Sequence, residues 1–242
     1  MKNRLWLGLE CTLLLSVVVT TSGQVVLLDS AAGFDLGGQN LNGIQYGYYD
    51  TAGYTGSFTS AGMTANPATG RWEGPFADAV TPVFTASSTH EGTDNSGHVT
   101  NAAVRRFTNG TAGHPGYTGP VEIEFQAWKT AWGSVGNGAD IFITLNGMNL
   151  FSARIPNGST QNAPFLSSSL MVTLNAGDTV DFGVTDLTGD SVSDVVGFTA
   201  TITTVPEPSA CGAMLGFGAL AAVWCRRCSL RAHSGRMRPK TA

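Results

Sequence analysis

From residue 24 to residue 204 the chain alternates short apolar runs with turn residues, and its period is that of a strand. Val121-Glu122-Ile123-Glu124-Phe125 puts apolar side chains on one face and carboxylates on the other, as a strand with one buried face does. Residues 141–145, then Asn146-Gly147, then 148–155 read as a hairpin, since Asn-Gly suits a type I′ turn with positive φ at both central positions. Residues 171–174, a turn over 175–178 and residues 179–185 read as a second hairpin, with Val180, Phe182 and Val184 sharing a face. Residues 196–202 read as the closing strand, and 25–28, 44–49, 80–85 and 99–107 as earlier ones. Residues 86–97 and 157–169, rich in Gly, Ser and Thr, read as long loops. No long stretch carries the apolar stripe of an amphipathic helix. The expected fold is all-β, with about eight to ten strands in a jelly-roll-like β-sandwich.

Composition narrows the classes. Of 242 residues only 12% are charged, where soluble domains average about 25%. With 42% hydrophobic residues the chain is not of the disordered type. It lacks the basic face of a nucleic-acid binder and the charge lacing of a coiled coil.

The net charge of −4 is unevenly placed. Residues 24–205 hold five bases against fifteen acids, a net of −10, while residues 226–242 hold six bases and no acid. Cys11, Cys211, Cys225 and Cys228 all lie outside the acidic middle. This describes a cysteine-free exported body between two membrane-reading ends. Three segments are therefore expected: a signal peptide over 1–23, a β-sandwich domain over 24–204, and a sorting region over 205–242.

Lys2 and Arg4 form a short positive region, residues 5–20 are largely apolar although Glu10 interrupts them, and Thr21-Ser22-Gly23 are small. That pattern is a secretory signal, with the mature chain starting near Gln24. Cys11 follows Glu10 and so lacks the small preceding residue of a lipid-anchor site.

At the other end, Val205-Pro206-Glu207-Pro208-Ser209 precedes a sixteen-residue apolar run, 210–225, and then Arg226-Arg227. The run is short for a spanning helix, which needs about 17–25 residues. The arginines would stay cytoplasmic by the positive-inside rule, leaving the body on the opposite side. The order Pro-Glu-Pro, apolar helix, basic pair resembles the PEP-CTERM sorting signal of bacterial envelope proteins. The resemblance implies Pro206, Glu207 and Pro208 as the sorting motif and Arg226 and Arg227 as its membrane-flanking bases. It also implies export through the Sec translocon, transient anchoring in the inner membrane, and processing by an exosortase for the cell surface or extracellular polysaccharide. One departure is that residues 228–242 extend fifteen residues past the arginines.

The body resembles the jelly rolls often joined to such tails. The matching pieces are 39–48 (an Asn-rich stretch into Tyr-Gly-Tyr), Gly138-Ala139-Asp140, Asn146-Gly147, Gly177-Asp178 to Phe182, and Asp194 with 198–202. Such folds resemble carbohydrate-binding modules, although fold alone does not fix function.

Candidate chemistry is sparse. Glu122 and Glu124 share a strand face, as a glycosidase pair would, but the later carboxylate of the sandwich glycosidases is absent and two solvated charges explain the pattern as well. His90, His98 and His114 lack metal-ligand spacing. There is no Gly-x-Ser-x-Gly elbow or phosphate loop. Asp186, Asp190 and Asp194 offer hard oxygens of the kind Ca²⁺ takes, or simply an acidic loop. Cys225 and Cys228 have metal or redox spacing but no partner pair. Asn109 and Asn157 match the glycosylation pattern. A sugar-binding surface needs exposed flat rings, for which Trp128 and Trp132 are the candidates. The expectation is a non-catalytic surface or matrix protein. The alternatives are a carbohydrate-binding module, which would need the tryptophans, and a glycan hydrolase, which would need Glu122 and Glu124.

Overall fold

The computed structural model describes residues 24–40, 43–75, 82–93, 99–111, 116–130, 138–156, 164–187 and 195–206. The expected signal peptide, 1–23, and the expected sorting region beyond Pro206 lie outside these residues. Among the described residues there are sixteen strands and no α-helix. In chain order they are β1 (Val26–Asp29), β2 (Ile44–Tyr49), β3 (Phe58–Thr59), β4 (Thr64–Asn66), β5 (Arg71–Glu73), β6 (Val83–Phe84), β7 (Ser88–His90) and β8 (Gly92–Thr93). They continue with β9 (Val99–Asn101), β10 (Ala103–Thr108), β11 (Gly119–Lys129), β12 (Ala139–Leu145), β13 (Met148–Ile155), β14 (Leu166–Leu174), β15 (Thr179–Thr185) and β16 (Val196–Thr204).

Two antiparallel sheets form the sandwich. One runs β14-β11-β16-β7-β6-β5-β4 and the other β13-β12-β15-β10-β2-β3, while β8 and β9 pair separately. β16 is long enough to be shared on one side: β7 pairs with its start, at Val196 and Gly197, and β1 with its end, at Thr201 to Thr203. Val121, Ile123, Phe125, Phe198 and Ile202 from the first sheet meet Ile141, Ile143, Phe182 and Phe107 from the second, all at 0–3% exposure. The ring pairs Phe125–Phe151, at 4.9 Å, and Phe182–Phe198, at 5.6 Å, join the layers. The alternation of charged and apolar residues along 121–125 thus has the physical meaning expected of it.

Of the two predicted hairpins, the one formed by β12 and β13 is present. Asn146 and Gly147 have φ of 51° and 79°, both positive as a type I′ turn requires. The second is corrected: β14 pairs with β11 in the first sheet and β15 with β10 and β12 in the second, so the turn over 175–178 carries the chain from one layer to the other. Alternating strands on both sides of a short turn fit such a crossover as well as a hairpin. β14 also starts at Leu166, so the loop expected over 157–169 is strand at its end. Ser167, Ser168 and Ser169 read as loop residues, yet they pair with Gln126, Phe125 and Glu124, and tertiary pairing overrides their weak strand propensity. The loop expected over 86–97 likewise contains β7 and β8. Its turn is held by Arg105, which is 1% exposed and donates to the carbonyls of Thr85, Ala86 and Ser88 and to Thr89 Oγ1 at 2.8–3.2 Å. Burial pushes this guanidinium down to about 10.

The two ends of the body are clasped together. The Val25 N–H donates to Thr204 Oγ1, and the Thr204 N–H donates to the Val25 carbonyl, each at 2.9 Å. Val205 makes the last bond of the body, to the Pro120 carbonyl, and Pro206 is exposed.

Candidate functional site

The outer face of the first sheet carries a groove of about 610 Å³. Strand register builds it in two rungs. In one, Glu124 of β11 lies between Ser169 of β14 and Thr201 of β16, and Thr201 faces Asp29 of β1. In the other, Gln126 lies between Ser167 and Thr199. Side chains directly opposite across strands sit about 4.5–5.5 Å apart at Cβ, so hydroxyls, an amide and carboxylates converge on one concave strip. Asp29 is fixed, its Oδ1 accepting the N–H groups of Ala31 and Ala32 at 3.0 Å. Glu124 is exposed and accepts no hydrogen bond from any described residue. Glu122, one rung along, is half-buried and does not line the groove.

Trp128 follows on the same face of β11, but it is not a free stacking platform. It is only 5% exposed, and its indole lies against Gly197 so closely that a Cβ there would come within 2.0 Å of the ring. A sugar needs an open ring face, so Trp128 is corrected from ligand contact to packing residue. Trp132 lies outside the described residues. Phe165, one residue before β14, is an exposed aromatic at 51%.

A second polar feature occupies the opposite end of β11 and β16 from the Val25–Thr204 clasp. Arg154 Nη1 donates to Asp140 Oδ2 at 2.6 Å and to Asp186 Oδ1 at 2.7 Å, and Nη2 donates to the Gly138 carbonyl. Lys129 and Glu91 are buried beside them, at 2% and 0% exposure. Among the described residues, neither Glu91 carboxylate oxygen has a hydrogen-bond partner. Desolvation therefore pushes its carboxyl up to about 8, although Lys129 and Arg154 pull the other way. Desolvation pushes Lys129 down to about 8. His90 is adjacent, its Nδ1–H donating to the Glu91 carbonyl at 2.6 Å, and burial lowers its pKa.

The calcium reading meets this cluster at Asp186. Its Oδ1 is held by Arg154, so a cation of the protein's own stands against it. Asp190, Asp194, His98 and His114 lie outside the described residues, and among the described residues no trio of His, Cys, Asp or Glu is placed to hold a metal ion. Sequence reasoning missed Glu91, Lys129 and Arg154 as a group because they lie on distant segments.

Residues 204–227 match the PEP-CTERM protein-sorting motif, and the chain carries that motif. The match begins at the last residue of β16 and ends on Arg227. The motif implies recognition by an exosortase, export, and membrane anchoring ahead of processing. No curated protein matches the chain. Among solved structures, the chain is similar to a family 35 carbohydrate binding module from Clostridium thermocellum (13% identity, 74% of this chain and 98% of that one, TM-score 0.31). It is also similar to CBM51 from Clostridium perfringens GH95 in complex with methyl-galactose (11%, 75% and 100%, TM-score 0.35) and to a Stig cyclase from Fischerella sp. TAU (11%, 76% and 100%, TM-score 0.37). At these scores the similarity carries no functional inference.

Proposed function

We propose that this chain is an exported, envelope-sorted, non-catalytic protein of the cell surface or extracellular polysaccharide matrix, with a jelly-roll body that holds polysaccharide in its outer groove. The observation that carries the reading is the sorting motif over 204–227, which starts where the folded body stops. Residues 1–23 direct the chain to the Sec translocon. The body folds outside the inner membrane, the apolar run 210–225 holds it there, and an exosortase processes the tail. The groove supports the polysaccharide part: hydroxyls and an amide flank acceptor carboxylates along a strip open to solvent, the chemistry that meets sugar hydroxyls.

A hydrolase reading has less support. Glu122 and Glu124 share the outer face of β11, but no described residue hydrogen-bonds either carboxylate into place, whereas acid–base catalysis needs positioned groups.

The test is replacement of Pro206, Glu207 and Pro208 by alanine in the native host, followed by fractionation. The expected result is unprocessed chain retained in the inner membrane. Normal processing and surface delivery would overturn the sorting role. Retention of the protein on immobilised extracellular polysaccharide, without release of reducing sugar, tests the remainder.

A further inference from the structure

The groove's charge pattern narrows its ligand. Its lining includes two carboxylates, Asp29 and Glu124, and no Lys, Arg or His. The two lie on one rung, separated by Thr201. Asp29 is committed to the turn that follows β1 through Oδ1, while Glu124 has no hydrogen-bonding partner among the described residues. The remaining floor, Ser167, Ser169, Gln126, Thr199 and Thr201, is neutral and rich in hydroxyls. A polymer carrying carboxylate, sulfate or phosphate would meet like charge along this strip. A neutral polymer would find hydroxyl and amide partners but leave Glu124 without a counter-charge. A polymer of amino sugars with free ammonium groups would satisfy both.

We infer that the groove selects glycans bearing free amino groups, namely partly de-N-acetylated hexosamine polymers, through an ion pair with Glu124. This rests on the groove being the polysaccharide site proposed above. The pair is solvent-exposed, so its contribution is modest: about two- to five-fold in affinity, weakening as salt rises.

The experiment measures binding of the full chain, in mild detergent, to four soluble glycans of matched length: chitosan, its N-acetylated counterpart, dextran and alginate. Chitosan is expected to bind tightest and alginate not at all. Glu124→Gln should weaken chitosan binding about two- to five-fold and leave N-acetylated binding unchanged. Ser169→Lys, which puts a cation in the same rung, should weaken chitosan binding at least as much. Glu122→Gln removes the same charge from the same strand outside the groove and should change nothing. Equal binding of chitosan and its N-acetylated form, both lowered alike by Glu124→Gln, would overturn the amine selectivity and leave the groove as the site. Equal losses in Glu122→Gln and Glu124→Gln would show attraction to the protein's net charge only and overturn the selectivity. Binding of none of the four would overturn the groove reading itself.

Discussion

Arg106 grips Asp181 with both arms of a fork: Nε reaches Oδ1 and Nη2 reaches Oδ2, each at 2.7 Å. Asp181 is fully buried, and Tyr49 donates its hydroxyl to the same Oδ2 at 2.6 Å. Arg106 also stacks on the Phe58 ring at 4.0 Å, so the network links β15, β10, β2 and β3 across the second sheet. Burial and the Asp181 charge hold the Tyr49 hydroxyl well above its usual range. Asp181→Asn should cost about 3 kcal/mol, because Arg106 then keeps a charge without its partner. Tyr49→Phe should cost about 1.5 kcal/mol, the scale of one hydrogen bond to a charged group. Chemical denaturation of both variants checks this, and losses below about 0.5 kcal/mol would show the network to be idle.

Glu91 gives the protein a pH dependence of unusual sign. Its folded pKa, about 8, stands above the ordinary 4.5. Its contribution to stability is therefore full below pH 4.5 and is lost as pH climbs to about 8. His90 works the other way, because its folded value is lowered, so it adds stability as pH rises to 6.5. Lys129, lowered to about 8, changes the balance only above that pH. Among the described groups, the Glu91 effect is therefore the one acting between pH 6.5 and 8, and it should lower stability by about 1–2 kcal/mol. Glu91→Gln should flatten that slope. Melting curves across the window decide it, and an unchanged slope in the variant would refute the assignment.

Gly197 is where the β16 backbone passes beneath Trp128. Alanine there puts a Cβ within 2.0–2.5 Å of the indole, and a rigid ring on a rigid sheet has little room to yield. The expected loss is about 1–3 kcal/mol. Thr199→Ala, two residues along on the same face, should stay within about 0.5 kcal/mol. Equal melting temperatures for the two variants would mean that Trp128 moves aside freely.

Thr204 belongs to both the body and the matched sorting motif, and Pro206 is already exposed. Thr204→Val removes the acceptor of the Val25 N–H and should cost about 1 kcal/mol, whereas Pro206→Ala should leave unfolding unchanged. A destabilised Pro206→Ala would show that the sorting segment packs on the body.

Much of this arrangement was legible along the chain, and the reasons differ by element. Asn146-Gly147 declares its turn because few residues accept positive φ in succession. Residues 121–125 declare a strand because one face is apolar throughout. β14 hides because Ser167 to Ser169 carry no strand signal, and only pairing with β11 makes them extended. β7 hides because its anchor, Arg105, sits on a distant strand and bonds to carbonyls, which leave no mark in sequence. The groove was illegible for a related reason. Asp29, Glu124, Ser169 and Thr201 each look like ordinary surface residues, and only the register of four strands puts them in one row. Trp128 misled in the opposite way: an aromatic at a strand end suggested exposure, and a glycine opposite allowed it to be buried.

The clasp between Val25 and Thr204 has a mechanical consequence. A pull on the tail enters at the end of β16 and runs along that strand. There the ladder of nine registered pairs with β11, from Val121–Thr204 to Lys129–Val196, bears the load in shear, so its rungs must give way together. A pull on the N-terminus would instead enter the four-residue β1, which pairs with β16 over a short, bulged register of three pairs, so far fewer rungs share the load. Of its two ends, the one that carries the sorting motif is the one built to bear tension.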